Sequence, residues 1–183
     1  MGEKPRMLPD TRAPGTNDRT VIVAEVVVRP CRAEDVRSLE WFGVYTHHRE
    51  IFEEAFARHM RDENIMLVAD LNGFPVGQAW VDLTKRQADG VGYIWAVRVF
   101  PFLRNMGIGT LLMHATERML VQRGRVEAEV GVEKSNPDAR RLYERLGYRM
   151  HAQLSEQYGY TTPDGVHASH VVDQWILRKR LQA

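Results

Sequence analysis

The stretch "RVFPFLRNMGIGTLLMHATERMLVQRG", residues 98–124, changes character in its middle. It begins as the end of an apolar run, passes through RNMGIG at residues 104–109, and continues with helical periodicity. A strand that enters a helix through two nearly adjacent glycines directs backbone N–H groups and a helix N-terminus at one point. Because Gly107 and Gly109 lack a Cβ atom, an anion can approach the main chain closely. The stretch predicts an anion-binding loop between a strand and a helix, with a plain tight turn as the alternative.

The composition is that of a chain that forms one domain with a full core. It has 183 residues, 44% of them hydrophobic, and 25 Lys and Arg residues oppose 24 Asp and Glu residues, giving a net charge of +1. This balance provides no whole-protein attraction to nucleic acid or to anionic lipid, so we expect neither as a partner. The single cysteine, Cys31, allows no intrachain disulfide, and we interpret it as a strand-end packing residue rather than a nucleophile.

The first residues of the chain differ in composition from the rest. The first twenty residues are rich in Pro, Gly, Thr and charge, which predicts a flexible tail at 1–20 before one domain at 21–183. They lack the apolar segment of a signal peptide, and no apolar stretch approaches the roughly 20 residues of a membrane helix. We therefore expect a soluble, cytoplasmic protein. Its oligomeric state stays open, with a homodimer as one alternative.

The remaining patterns predict strands and helices in alternation. β-branched residues predict a strand at 20–30, two helices surround an aromatic bend at 41–48, and Asn72-Gly73 predicts a hairpin turn. Strands are also predicted at 90–100 and 125–132, a helix at 135–148, and a terminal hairpin from 151 to 181. The helix after the glycines has a predicted apolar stripe of Ile108, Leu111, Leu112, Ala115 and Met119, with Gly124 as its C-cap. The architecture predicted is α/β, a mixed sheet flanked by helices.

A second motif, "NPDARRLYERLGY" at residues 136–148, follows the next strand. Helical spacing brings Asn136 or Ala139 to the same side as Tyr143. A dinucleotide fold would need a glycine at Leu112, and a P-loop would need Lys-Ser/Thr after Gly109, so neither fits. RNMGIG instead resembles the Arg/Gln-x-x-Gly-x-Gly/Ala signature of the GNAT superfamily of N-acetyltransferases. The second motif resembles that superfamily's Asn-x-x-Ala-x-x-x-Tyr-x-x-x-Gly-Phe/Tyr pattern.

The resemblance implies an α/β fold of the α+β type. Its mixed, mostly antiparallel sheet would splay open between strands 4 and 5 and hold acetyl-CoA, the co-substrate, in the opening. The pyrophosphate would lie on the loop at 107–109. The cofactor-binding residues implied are Val97, Arg98, Val99, Arg104, Asn105, Met106, Gly107, Ile108, Gly109, Thr110, Asn136, Ala139 and Tyr143.

The resemblance also implies catalytic roles. Tyr143 would protonate or hydrogen-bond the leaving thiolate, and a backbone N–H near 97–99 would stabilise the oxyanion. Asn136 would contact the pantetheine arm, cap its own helix, or do both. Glu129 is the preferred general base, against the alternatives of a solvent-facing strand glutamate and a chain of water molecules.

The acceptor site would be formed by the bend at 41–48 and the turn at 158–165, by resemblance to the family's variable walls. Trp41, Tyr45, His47 and His48 would line an amine pocket, or would be core aromatics and surface histidines. His167 and His170 lie in an extended segment without an accompanying carboxylate, so we expect no metal site.

The resulting hypothesis is an enzyme that moves an acetyl group from acetyl-CoA directly to a primary amine of a small molecule or a protein. A catalytically silent acyl-CoA-binding module of the same fold is the main alternative, and a Rossmann-type nucleotide-binding domain is a third. The acceptor amine is not identified by the sequence.

Overall fold

The computed structural model describes residues 23–162 and 164–182. Its elements are β1 (Val26–Pro30), α1 (Ala33–Ser38), α2 (Arg49–Met60), β2 (Asn64–Leu71), β3 (Phe74–Asp82), β4 (Val91–Val99), α3 (Ile108–Gln122), β5 (Glu127–Glu133), α4 (Pro137–Arg145), β6 (Arg149–Thr161) and β7 (His167–Arg180). These elements confirm the predicted alternation. The tail predicted at 1–20 lies outside the described residues. Within the described ranges, none of the helices combines the length and the apolar character needed to cross a bilayer.

All seven strands form one sheet in the order β1-β2-β3-β4-β5-β7-β6. Only β4 and β5 are parallel, and every other neighbouring pair of described strands is antiparallel. The predicted mixed, mostly antiparallel sheet is therefore confirmed. The terminal hairpin joins the sheet through its second strand, so β7 lies between β5 and β6.

The sheet opens between its two parallel strands. The β4–β5 ladder runs from Val91, opposite Glu127, to Ile94, opposite Val130, and then stops. Beyond it, β4 continues to Val99 and β5 to Glu133 without pairing to each other. A register shift against β3 accompanies Ala96, whose φ of 51° is left-handed. Such a bulge re-aims a strand, so it accounts for the divergence of β4 from β5. The predicted opening is confirmed.

The two faces of the sheet carry separate cores. On one face, α3 and α4 pack over Ile94 and Val130, with Met113 and Leu120 fully buried. On the other face, α1 and α2 pack over Trp80 through Leu39, Phe52 and neighbouring residues. Cys31 is 5% exposed and belongs to this second core, which confirms its interpretation as a packing residue. Each face of the sheet is therefore covered by helices.

The buried face of α3 is rotated from the predicted stripe. Leu111 is 37% exposed, whereas Met113 and Leu120 are fully buried. The prediction was wrong at Leu111 because the sheet extends over the side of the helix that carries 113, 116 and 120. Glu117 is also buried there, and it accepts a 2.8 Å hydrogen bond from Lys179. The helix ends one residue before the predicted position: Arg123 is its C-cap, and Gly124 follows with a left-handed φ of 73°.

Candidate active site

The diverging strands form a cleft of about 1200 Å³. One part of its wall is formed by the second halves of β4 and β5, the start of α3 and the inner side of α4. The other part is formed by the segment before α2 and by the β6–β7 hairpin. Most predicted cofactor-binding residues lie on this wall: Val97, Arg98, Val99, Arg104, Asn105, Gly107, Ile108, Gly109, Thr110, Asn136, Ala139 and Tyr143. Met106 is 68% exposed and, like Glu129, is not among the described residues that form the wall.

The N-terminus of α3 faces this cleft without a capping side chain. Its N-cap residue is Gly107, and the first intrahelical bond runs from Leu111 N–H to the Gly107 carbonyl at 3.0 Å. The preceding N–H groups, at 108–110, therefore have no acceptor within the helix. Arg104 donates from Nε to the Val99 carbonyl at 3.3 Å, which holds its guanidinium beside the loop. This combination of N–H groups and positive charge fits a pyrophosphate.

The two glycines of the loop serve different purposes. Gly107 has a φ of 85°, a conformation that residues with a Cβ rarely adopt. Gly109 has no such backbone requirement, but an added Cβ would lie 3.2 Å from Cδ2 of Leu142 on α4. Gly107 thus allows the turn, and Gly109 allows α3 and α4 to approach each other at the cleft. The sequence suggested one common reason for both.

The second motif contributes a capping amide and a buried phenol. Asn136 Oδ1 accepts a 3.1 Å hydrogen bond from Ala139 N–H, so it caps α4, and the residue also lies on the cleft wall. Tyr143 lies on the wall as well and is only 3% exposed. Burial raises the pKa of its phenol above the ordinary value, so it is a proton donor rather than a phenolate at neutral pH.

Glu129 lies between two arginines. It is 2% exposed, and its carboxylate accepts hydrogen bonds from Arg86 at 2.9 Å and from Arg178 at 2.6 Å. The expectation of a solvent-facing glutamate is wrong, because β7 pairs beside β5 and brings Arg178 over it. Burial acts to raise the pKa of Glu129, but the hydrogen bonds from both arginines outweigh it and hold the pKa below its usual range. This environment weakens Glu129 as a proton acceptor.

The predicted aromatic bend divides between core and cleft. Trp41 is 1% exposed and donates from Nε1 to the Pro75 carbonyl at 2.8 Å, so it is a core residue. Tyr45 lies on the cleft wall under Arg98, whose guanidinium carbon is 4.7 Å from the ring centroid. His48 also lies on the wall, and burial, with the charges of Arg98 and His47, lowers its pKa to about 4. The imidazole of His48 is therefore neutral at physiological pH.

The β6–β7 hairpin contributes residues that the sequence did not single out. Its wall residues include Glu156, which forms an ion pair with Lys85, and Gln174, which forms a hydrogen bond with Tyr93. The sequence analysis missed Glu156 and Gln174 because the residue pattern of a strand does not show with which distant strand that strand will pair. Gly131, a glycine inside a strand, was the one local signal that another group approaches β5 closely.

The sequence profile of the acetyltransferase (GNAT) family matches residues 32–148, which is more than half of the chain. The chain belongs to this family. An uncharacterized N-acetyltransferase of Archaeoglobus fulgidus is 32% identical over 115 residues, covering 60% of this chain and 76% of that protein. No group of three or more His, Cys, Asp and Glu side chains in the described part of this GNAT-family chain is arranged to hold a metal ion.

Solved structures share the fold. A Salmonella typhimurium protein described as an acetyltransferase and solved with its cofactor acetyl-CoA aligns with a TM-score of 0.67 at 17% identity, over 87% of this chain and 95% of that chain. The ribosomal-protein-S18-alanine N-acetyltransferase from Escherichia coli aligns with a TM-score of 0.64 at 18% identity, over 87% and 96% of the two chains. At these identities the likeness shows a common GNAT fold.

Proposed function

We propose that this GNAT-family protein transfers an acetyl group from acetyl-CoA directly to a primary amine of a small molecule or a protein. One observation carries the proposal: an uncapped helix N-terminus, suited to a pyrophosphate, and a buried protonated phenol lie on the wall of the same cleft. An anion-binding loop alone would support binding. A proton donor in the same cleft gives the site a means of assisting thiolate departure.

The roles follow from the chemistry of thioester aminolysis, for which acetyl-CoA supplies the activated acyl group. The N–H groups at the start of α3, with Arg104, would hold the pyrophosphate. Beyond Ile94 the edge of β4 has no partner in β5, so its backbone N–H groups at 97–99 are candidates for stabilising the oxyanion. Tyr143 would donate a hydrogen bond or a proton to the departing sulfur. Tyr45 and His48 would form part of the acceptor wall.

A thiol-release assay tests the proposal. The protein is incubated with acetyl-CoA and with polyamines, amino acids, aminoglycosides, and peptides carrying either a free α-amine or a lysine. We expect turnover with at least one class, and mass spectrometry should find the acetylated amine. Binding of acetyl-CoA in calorimetry without turnover on any amine would favour the silent binding module instead. Failure to bind acetyl-CoA at all would contradict the assignment of the cleft.

A further inference from the structure

Acetyl transfer to an amine requires a group that accepts a proton from the attacking nitrogen. Glu129 is unsuited, because two arginines occupy its carboxylate away from the described cleft wall. Four other carboxylates lie on the wall formed by the described residues: Asp82, Glu133, Asp138 and Glu156. The surroundings of two of them weaken them as proton acceptors, and Glu133 stays the rival of Glu156 that the experiment must separate.

Two of the four are poor candidates. Asp82 accepts hydrogen bonds from the Thr84 hydroxyl at 2.8 Å, from the backbone N–H groups of Thr84 and Lys85 at 2.9 Å, and from Arg58 at 3.1 Å. Burial acts to raise its pKa, but these donors outweigh burial and lower the pKa below the usual range. Asp138 lies on α4, is 83% exposed and pairs with Arg141, in the part of the cleft assigned to the cofactor.

Glu156 is held more loosely and beside the point where the strands part. Gly131 follows Val130, the last β5 residue paired with β4. A Cβ atom on Gly131 would overlap the Gln174 amide and lie 3.1 Å from the Tyr93 hydroxyl oxygen. The missing side chain therefore leaves room for Gln174 to reach Tyr93. Gln174 Nε2 donates to Glu156 Oε2 at 3.5 Å, which links Glu156 to this niche.

The other contact of Glu156 is also long. Lys85 Nζ lies 3.3 Å from Glu156 Oε1 and 4.0 Å from the centroid of the Tyr93 ring. The Glu156 side chain is 45% exposed, so a proton that it accepts has a direct route to solvent. Burial, together with the charges of Glu156 and Glu129, raises the pKa of Tyr93 to about 12, so Tyr93 is a hydrogen-bonding group and not a base.

We propose that Glu156 accepts the proton of the acceptor amine, directly or through one water molecule, and that Gln174 is its positioning residue. This inference rests on the proposed function. In the step, the nitrogen lone pair forms the N–C bond, and the carbonyl π electrons move to oxygen. The nitrogen proton passes to Glu156 and from there to solvent. Reformation of the carbonyl breaks the C–S bond, and the thiolate leaves with a proton from Tyr143 or from solvent.

The test uses Glu156→Gln in the full-length protein, with an acceptor on which the wild type turns over. We expect kcat to fall by about 10²-fold or more, since general base catalysis is typically worth about 10²- to 10⁴-fold. Acetyl-CoA affinity by calorimetry should stay within about twofold. Glu144→Gln is the matched control, because Glu144 forms a surface ion pair with Arg140 and is 43% exposed, close to the 45% of Glu156. It should retain wild-type kcat.

A split between kcat and KM separates positioning from a structural role. Gln174 acts on Glu156 through the 3.5 Å hydrogen bond from Nε2 to Oε2. Gln174→Leu removes this donor, so we expect kcat to fall while KM stays within about twofold, as when an interaction made only in the transition state is lost. A merely structural contact on the cleft wall would change KM instead.

Three outcomes would overturn the inference. One is near-normal kcat in Glu156→Gln, and another is a raised KM with unchanged kcat in Gln174→Leu. The third is a loss of the expected size in Glu133→Gln instead, since Glu133 lies opposite Gln174 in the β5–β7 ladder. In each case wild-type turnover leaves the proposed function intact. Absence of wild-type turnover on every amine would contradict the proposed function, and this inference with it.

Discussion

Replacing Glu129 with Gln tests whether this buried carboxylate is a structural ion-pair partner. Gln keeps the size of the side chain but removes the charge between Arg86 and Arg178. Breaking a fully buried pair by removing one partner costs roughly 3–5 kcal/mol. Arg86 is 39% exposed and Arg178 is 25% exposed, so water can rehydrate part of both guanidinium groups. We therefore expect a loss of about 2–3 kcal/mol in the free energy of unfolding, scaled down from the buried limit.

The loss should depend on pH in a defined direction. The pKa of Glu129 is lowered in the folded state, because the arginine hydrogen bonds outweigh burial, which acts to raise it. A carboxylate of this kind stabilises the fold above its unfolded-state pKa, about 4.3 for Glu. That contribution disappears as the pH falls through the lower folded-state pKa. The difference between wild type and Glu129→Gln should therefore be full at pH 7 and should shrink below about pH 4.

Thermal and urea denaturation measure this difference. A loss of 2–3 kcal/mol corresponds to a drop in Tm of about 4–12 °C for a chain of this size. Glu127→Gln is the control, since Glu127 accepts a 3.2 Å hydrogen bond from the same Arg178 but is 31% exposed. Its loss should stay below about 1 kcal/mol. Equal losses in both variants would refute the ion-pair reasoning. Loss of kcat in a Glu129→Gln protein of wild-type stability would indicate that Glu129 is the base.

Three further predictions concern the cofactor site. Acetyl-CoA at a hundredfold excess over Kd should stabilise the protein by about 2.7 kcal/mol and raise its Tm. NAD should leave Tm unchanged in the same thermal-shift assay. A Tm raised by NAD and not by acetyl-CoA would contradict the assignment of the cleft to acetyl-CoA. Gly107→Val should weaken acetyl-CoA binding in calorimetry. Because φ at Gly107 is 85°, the variant should also lose about 1–2 kcal/mol in the free energy of unfolding. Unchanged acetyl-CoA affinity would show that this loop is not part of the cofactor site. Tyr143→Phe should lower kcat by about 10²-fold with little change in acetyl-CoA affinity. Tyr148→Phe is its control, because that ring lies 6.2 Å from Tyr143 among the core residues, and equal kcat in both variants would show that the Tyr143 hydroxyl is structural.

The sequence by itself determined the local elements, because their signals lie within a few residues of one another. The Asn72-Gly73 turn is an example: both residues have left-handed φ, 52° and 84°, as a tight hairpin turn requires. Asn136 and Pro137 start α4 in the same local way, with a side-chain cap and a residue that needs no N–H partner. The glycine loop was also predictable, since strand, Gly-x-Gly and helix follow directly along the chain.

The register of distant strands was decided only in the tertiary structure. The alternation of apolar and polar residues in β5 predicts two faces of the strand but not what covers each face. A solvent-exposed Glu129, a catalytic base and an ion-pair partner were therefore all consistent with the sequence. Its partners Arg86 and Arg178 are 43 and 49 residues away along the chain. Arg178 reaches Glu129 because β7 pairs with one edge of β5, and Arg86 reaches it from the segment before β4, which pairs with the other edge. β7 also brings Gln174 to Gly131, and Glu156 of the neighbouring strand β6 contacts Lys85. Burial and pairing set the charge state of a carboxylate, and both depend on contacts that no local pattern contains.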